Sequence, residues 1–365
     1  MRVVIAGGGT GGHLYPGIAL AQTIGRYDPN AQVLFVGAAQ GMEAKLLPEK
    51  GFSFAPIPAA GFVGKGLRGR LFSLGLVPAG LARSIGILRR FAPNLVIGVG
   101  GYAAGPLLLA AVLLGVKRVI LEPNLVPGLA NKLIAPMANL VVVAFDESRP
   151  YLRTKKVQRL GVPVRPEILQ AARRASSHLK TLLVLGGSQG AHTINRAMVE
   201  ALPILEKEKG ALHIIHQTGK REWEEVKEAY SRQGLSARVE PFIHDMAGVY
   251  AAADLVVSRA GAGTLSELAA IGKPSLLIPF PYAKGHQEKN AAAFVSSGAA
   301  EMIPDRDLTG RLIAERVLAL LFDATKLARM GEAAKERGRP RAAEEIVKAC
   351  YALIGAPLSG LSHVS

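Results

Sequence analysis

Two glycine-rich turns stand out in this chain of 365 residues, one in each half. The first, Gly7-Gly8-Gly9-Thr10-Gly11-Gly12-His13, follows the apolar run Val3–Ala6 and leads into a helical pattern that Pro16 can open at its first turn. Glycines let the main chain approach an anion, and a helix start offers N–H groups that have no partner within the helix. His13 closes the turn. Beside a helix N-terminus the dipole disfavours imidazolium, which keeps the ring neutral and able to accept a proton. Packing or capping is the plainer role for a histidine there. The string also satisfies G-x-G-x-x-G, the dinucleotide fingerprint. That site needs an acid at the end of the second strand, and Val36-Gly37-Ala38-Ala39 is followed by none before Glu43.

The second turn, Gly186-Gly187-Ser188-Gln189-Gly190-Ala191, follows the apolar run Thr181–Leu185 and matches G-x-S-x-G, the nucleophile elbow of hydrolases. His213, His216, His244 and His286 lie downstream as possible partners for Ser188. A hydrolase has no use for two such turns, whereas a phosphate cradle explains both, with Ser188 as a diphosphate ligand. Further on, Ser258-Arg259-Ala260-Gly261-Ala262-Gly263-Thr264-Leu265-Ser266-Glu267 reads as strand, small-residue turn and helix. Glu267, about one turn into that helix, suits two adjacent hydroxyls such as those of a ribose; a solvated helix carboxylate is the ordinary alternative. In His286-Gln287-Glu288-Lys289-Asn290-Ala291 the Gln287 amide both donates and accepts, as sugar hydroxyls require. Asp305-Arg306-Asp307 is a D-x-D string, yet it precedes a helix that starts after Thr309, and helix-start chemistry accounts for it without a metal.

The elements that would position these residues alternate. Val3–Ala6, Val33–Val36, Leu95–Val99, Val119–Leu121 and Leu140–Ala144 are continuous apolar runs, as in parallel strands buried on both faces. Pro16–Arg26, Glu43–Lys50 and Leu107–Leu114 fit between them as crossover helices. The second half repeats the plan with strands at Thr181–Leu185, Leu212–His216, Val239–Phe242, Leu255–Ser258 and Ser275–Pro279. This alternation predicts an α/β fold with two Rossmann-like, doubly wound domains, joined near Gly161–Pro166. Ligands bind at the carboxyl ends of such strands, so two facing domains would line a central cleft with both glycine turns. The tail from Pro357 to Ser365 reads as loose.

With 49% hydrophobic and 20% charged residues the chain can bury two cores and is not disordered. Its one cysteine, Cys350, excludes an internal disulfide and a thiolate zinc site, and fits a reducing, cytoplasmic setting. No signal peptide is legible, because Val3–Ala6 is too short for an h-region. The uncharged run Leu95–Val116 has the length of a membrane span, but Gly98, Gly100, Gly101, Gly105 and Pro106 break it, which favours a buried strand and then a buried helix. The net charge is +16, and between Glu49 and Glu122 there is no acid at all. There Leu67, Leu71, Phe72, Leu74, Leu76, Val77, Leu81 and Ile85 alternate with Lys65, Arg68, Arg70, Arg83, Arg89 and Arg90. Such a mixture predicts contact with an anionic membrane surface without spanning it. Nucleic acid is disfavoured as a partner, because aromatics make up only 5% of the chain and stacking platforms are missing.

Taken together, six strings resemble glycosyltransferase family 28, and within it the N-acetylglucosaminyltransferases that convert lipid I to lipid II in peptidoglycan synthesis. They are GGGTGGHLYPGIALA from Gly7, GGYAAGP at 100–106, GVPVR at 161–165, GGSQGAHTIN at 186–195, SRAGAGTLSELAAIGKP at 258–274 and HQEKNA at 286–291. The resemblance runs from Val3 to about Ile354 and implies a GT-B fold and an inverting, metal-independent transfer without a cofactor. It implies an acceptor- and membrane-binding domain over residues 1–163, a UDP-sugar domain over 164–340, and a last helix near 341–355 that packs back on the first domain. Thr10, Gly11, Gly12, Asn124, Arg165, Ser188, Ile243, Ala262, Gly263, Thr264, Leu265, Ser266, Glu267 and Gln287 would contact UDP-N-acetylglucosamine, Glu267 at the ribose and the Ile243 backbone at the uracil. His13 would be the base, and Tyr102 and Glu122 would lie on the side of the acceptor, undecaprenyl-pyrophosphoryl-MurNAc-pentapeptide (lipid I). The implied location is the cytoplasmic face of the bacterial plasma membrane. Another GT-B transferase with a glycolipid acceptor, an NAD-dependent oxidoreductase and a non-catalytic nucleotide-sugar binder are the competing readings. The sequence departs from the family pattern at Leu121 and Pro123, where histidine and glutamine are usual, at Val162, where asparagine is usual, and at Gly263, where a bulkier residue is common.

Overall fold

A computed structural model describes residues 1–8, 11–59, 67–170, 179–187, 189–281 and 285–357, with the main chain alone along 67–74. The chain divides into two compact units, Met1–Arg165 together with residues 339 onward, and Pro166–Gly338.

In the first unit the strands are β1 (Arg2–Gly7), β2 (Gln32–Ala38), β3 (Ser53–Ile57), β4 (Leu95–Gly100), β5 (Lys117–Glu122), β6 (Leu140–Val143) and β7 (Val157–Gln158). They form one seven-stranded sheet in the order β3-β2-β1-β4-β5-β6-β7, parallel throughout. The second unit has β8 (Lys180–Leu185), β9 (Leu212–Gln217), β10 (Ser236–Glu240), β11 (Leu255–Ser258), β12 (Ser275–Leu277) and β13 (Ala300–Met302), again parallel. Their order is β10-β9-β8-β11-β12-β13. Each sheet reverses its winding beside its first strand, between β1 and β4 and between β8 and β11, and the glycine turn follows that strand in both. These are the switch points at which doubly wound sheets bind ligands.

Side-chain alternation explains the layering. Val3 and Ile5 pack with one apolar cluster and Val4 and Ala6 with another, on opposite faces of the first sheet. The helix Ala342–Ile354 covers the Val3 and Ile5 face, burying Ile346, Val347, Cys350 and Tyr351. Full burial of a large apolar side chain stabilises by roughly 1.5–3 kcal/mol, which holds this last helix on the first unit. The departing and returning segments meet where a Cβ on Gly161, at φ +87°, would strike the Arg339 side chain.

Prolines account for where the elements differ from the sequence expectation. The run Leu95–Val116 becomes β4 and the helix Ala104–Leu113, which starts ahead of Leu107 because Pro106 tolerates a first turn. The first helix spans Gly11–Tyr27, so Pro16 lies beyond its first turn and not at its opening. Proline has no N–H for the Gly12 carbonyl four residues back, which loosens the ladder next to His13. β10 covers Ser236–Glu240 and not Val239–Phe242, since Pro241 cannot donate to the ladder. The short edge strand β3, which contains Pro56, lacked a clear apolar run.

Candidate active site

The first turn is built from the carboxyl ends of β1, β4, β2 and β5. The register between β1 and β4 shifts at Gly7, pairing Ala6 with Gly98 and Gly7 with Gly100, so Val99 is skipped. Its carbonyl faces His13 Nδ1 at 3.1 Å. A carbonyl only accepts, so Nδ1 carries the hydrogen and Nε2 is the nitrogen that can take a proton. Burial lowers the His13 pKa below the ordinary imidazole value, and the Val99 bond offsets part of that. The neutral ring inferred from the helix dipole is thus held mainly by desolvation.

Gly100 and Gly101 of the 100–106 loop are there because His13 and Gly8 leave no room. A Cβ on Gly100 would press on the His13 ring, and one on Gly101, at φ +81°, would strike the Gly8 carbonyl. On the other side of the turn lies Glu43, wholly buried, with Oε1 accepting from the Ala38 N–H at 3.0 Å. A Cβ on Gly8, Gly37 or Gly41 would run into its carboxyl group. The acid that β2 lacks in sequence therefore reaches that strand end from the following helix, and it faces the turn backbone.

Glu122 ends β5 with 2% exposure and gathers the next loop around its carboxyl group. Oε1 accepts from the Asn124 N–H at 2.9 Å and its Nδ2 at 3.3 Å. Oε2 accepts from the Gly128 N–H at 2.9 Å and Asn131 Nδ2 at 2.8 Å. Burial raises the Glu122 pKa, opposed by these hydrogen bonds. Tyr102 is 40% exposed on the neighbouring loop, and the Arg165 guanidinium lies over the Tyr15 ring at 5.1 Å. The departures Leu121, Pro123 and Val162 line one small pocket with Glu122, Gly12 and Pro16. The three positions at which the sequence departs from the expected family pattern thus lie side by side as apolar residues.

The second turn rests on side chains at the end of β9. Gln217 is 5% exposed, donates Nε2 to the Gly187 carbonyl at 2.9 Å and accepts the Ile243 N–H at 2.9 Å. Asn195 donates Nδ2 to the Thr218 carbonyl at 2.9 Å, and its Oδ1 meets His216 Nε2 at 3.1 Å. His216 also meets the Tyr230 hydroxyl at 3.1 Å, and full burial drives its pKa down to about 3. It is therefore a neutral structural strut; Ser188, for which the sequence offered it as a partner, lies outside the described residues. A Cβ on Gly190, at φ +79°, would strike the Thr218 carbonyl.

The helix Ala262–Ile271 begins after Gly261 with no side-chain cap, so no capping side chain takes up the N–H groups of its first turn. Leu265 does not join them: its side chain is buried and its N–H bonds the Gly261 carbonyl at 3.0 Å. Glu267 Oε2 accepts from the Tyr250 hydroxyl at 3.0 Å, and Ser266 caps back onto the Ala262 carbonyl at 2.8 Å. Gln287 Oε1 accepts the Phe280 N–H at 3.0 Å, which directs its NH₂ elsewhere. Arg259 is engaged by the Ile278 and Pro279 carbonyls, Asp305 and Thr193. Asp305 is thereby spent on structure, and Thr309 caps the next helix through the Leu312 N–H at 3.2 Å. Among the described residues no group of three or more His, Cys, Asp or Glu could hold a metal ion.

Thr10 also lies outside the described residues. Each unit gathers its own set: Gly11, Gly12, His13, Tyr102, Glu122, Asn124 and Arg165 in the first, Ile243, the 262–267 segment and Gln287 in the second. Sequence reasoning missed Glu43, Asn195 and Gln217; the only local sign was a polar residue at the end of a strand or in a first helical turn. Of the basic, apolar stretch, Leu81 and Ile85 pack against the core, while Arg83, Arg89 and Arg90 are exposed. Lys65 and the side chains of Leu67, Arg68, Arg70, Leu71, Phe72 and Leu74 fall outside the described residues. Exposed large apolar side chains occur instead at Leu113, Leu129, Leu133 and Met137. Among the described residues no helix is long and apolar enough to cross a membrane.

The sequence matches the glycosyltransferase family 28 N-terminal domain over residues 3–143 and the glycosyltransferase family 28 C-terminal domain over residues 181–346. It is 44% identical, over 97% of its length and 99% of the relative's, to the UDP-N-acetylglucosamine--N-acetylmuramyl-(pentapeptide) pyrophosphoryl-undecaprenol N-acetylglucosamine transferase of Syntrophus aciditrophicus. The enzyme of the same name from Thermodesulfovibrio yellowstonii is likewise 44% identical with the same coverage. Among solved structures the chain is similar to Acinetobacter baumannii MurG, with a TM-score of 0.76 and 28% identity over 95% of this chain and 98% of that one. A putative UDP-N-acetylglucosamine 2-epimerase from Listeria monocytogenes shares the fold alone, at TM-score 0.73 and 13% identity over 100% and 99% of the chains.

Proposed function

The chain belongs to glycosyltransferase family 28, and from that premise we propose that it transfers N-acetylglucosamine from UDP-N-acetylglucosamine to the MurNAc C4 hydroxyl of lipid I. The observation that carries this reading is the match to relatives of that activity along 97% of the chain. The C4 oxygen forms the new bond to the anomeric carbon as the bond from that carbon to the diphosphate breaks. UDP leaves with the electron pair, and the α-linked donor becomes a β-1,4 product. His13 Nε2 takes the C4 hydroxyl proton, its orientation set by the Val99 carbonyl. The first-turn N–H groups of the helix Ala262–Ile271, Ser188 and Arg165 offset the diphosphate charge. Glu267 takes the ribose hydroxyls, Gln287 and Asn124 the donor sugar, and the Glu122 loop with Tyr102 the acceptor.

The acceptor is a lipid, which calls for contact with a membrane surface. The exposed Arg83, Arg89 and Arg90 support an anionic surface as partner, and Leu113, Leu129, Leu133 and Met137 supply apolar side chains on the same unit. The location that follows is the cytoplasmic face of the plasma membrane. Offering UDP-glucose, UDP-galactose and UDP-N-acetylglucosamine with lipid I or diacylglycerol tests the reaction. Transfer of N-acetylglucosamine to lipid I alone is expected, and transfer to diacylglycerol alone would overturn it. Flotation with anionic and neutral liposomes should show binding to the anionic ones.

A further inference from the structure

In the second unit β9 lies between β8 and β10, and the two segments proposed for opposite ends of the nucleotide follow those neighbours. The diphosphate turn follows β8, and the Ile243 segment follows β10. One side chain spans them: Gln217, the last residue of β9, is 2.9 Å from the Gly187 carbonyl through Nε2 and 2.9 Å from the Ile243 N–H through Oε1. The partners fix the amide's orientation, since a carbonyl demands the NH₂ and an N–H demands the oxygen. At 5% exposure the two bonds have little competition from water.

We infer that Gln217 is a positioning residue that couples the base subsite to the diphosphate subsite and sets preference for a uracil nucleotide. The inference rests on the proposal that this unit binds the UDP-sugar. By engaging the Ile243 N–H, Gln217 leaves the Ile243 carbonyl as that residue's backbone group for a base. A carbonyl accepts the N3–H of uracil. Cytosine presents an unprotonated N3 there and meets oxygen with a lone pair, so it is rejected for want of a donor. The other end of the amide holds Gly187, and with it the height of the turn that meets the diphosphate.

The test is calorimetric binding of UDP and CDP to the full-length chain and to Gln217→Glu and Gln217→Leu, with thermal melting of each. The wild type should bind UDP at least about ten-fold tighter than CDP, the factor expected from one mispaired buried group. Gln217→Glu still accepts from Ile243 but sets an oxygen against the Gly187 carbonyl. It should weaken UDP about ten-fold or more while keeping the UDP-to-CDP ratio. Gln217→Leu frees the Ile243 N–H and should collapse that ratio, which a general loss of stability would not do. Should the leucine variant fail to fold, Gln217→Glu decides: wild-type UDP affinity at wild-type melting temperature overturns the coupling. If the wild type itself binds no UDP, the reading of the unit as the donor site has failed instead.

Discussion

The two glycine turns occupy the same place in two sheets whose first six strands follow the same order, yet they rest on opposite chemistry. Beneath Gly8 lies the Glu43 carboxyl group, buried and directed at the turn backbone. Beneath Gly187 lies the neutral Gln217 amide, which donates to the turn. The Glu43 carboxyl group fills the space behind the first turn and accepts from the Ala38 N–H, so that turn is less suited to a diphosphate than one backed by an amide. The second has a support that adds no negative charge and precedes a free helix start on the adjacent strand. Similar glycine spacing thus carries two different supports: one turn sits on a buried carboxyl group beside His13, the other on a neutral amide. The teaching is that a glycine motif reports room, and the side chain behind it reports what the room is for.

The strongest way to break this division is His13→Ala. It should lower turnover about 10²–10⁴-fold with UDP affinity unchanged, measured by transfer of labelled sugar and by calorimetry; a parallel loss of UDP binding would place His13 on the donor and merge the two roles. In the wild type the acid limb of kcat/KM should fall below the ordinary imidazole value of 6.5, because burial lowers the His13 pKa and only the neutral ring accepts a proton. The units should also separate in acid. His216 titrates near 3 in the fold against about 6.5 in the unfolded chain. The unfolded state then binds the extra proton, and the second unit loses stability steadily as pH falls from 6.5 towards 3. Thermal melts across that range should show the slope, and His216→Asn should flatten it.

Glu43→Gln brings the first turn closer to the second in chemistry. It should cost about 1–3 kcal/mol of stability in chemical denaturation, because one carboxylate acceptor becomes a donor in a dry site, and it should leave UDP affinity unchanged. A loss of UDP affinity would mean that the first turn, whose Thr10, Gly11 and Gly12 are expected to meet the donor, also carries its diphosphate. The smallest effect concerns the apolar pocket beside Glu122. Val162→Asn alone should destabilise, and adding Leu121→His and Pro123→Gln should recover at least about 0.5 kcal/mol of the summed cost, since neighbours in one pocket couple. Strict additivity in denaturant titrations would show the three departures to be independent.

Much of the framework was legible because it is local. Continuous apolar runs marked the buried parallel strands, glycines marked the switch-point turns, and Pro106 inside Leu95–Val116 argued for a strand and helix instead of a span. Pro241 moved one strand end, whereas Pro16 lies inside the helix it was expected to open. What stayed hidden were groups whose partners are distant in sequence: Gln217 bridges residues 30 positions before it and 26 after it, and Glu43 meets a turn more than thirty residues earlier. Leu265 was grouped with its helix neighbours, and only the direction of its side chain shows that it packs the core.

By itself, then, the sequence determined two α/β units of like winding, a histidine at one turn, a helix start near the other, and the family to which both belong. Those follow from apolar periodicity, backbone freedom at glycine and residue spacing, all of which are properties of short segments. The tertiary structure alone decided which nitrogen of His13 accepts a proton, through a bulge that turns the Val99 carbonyl toward it. It alone set a carboxyl group behind one turn and an amide behind the other, because only folding brings separate strand ends together and strips them of water.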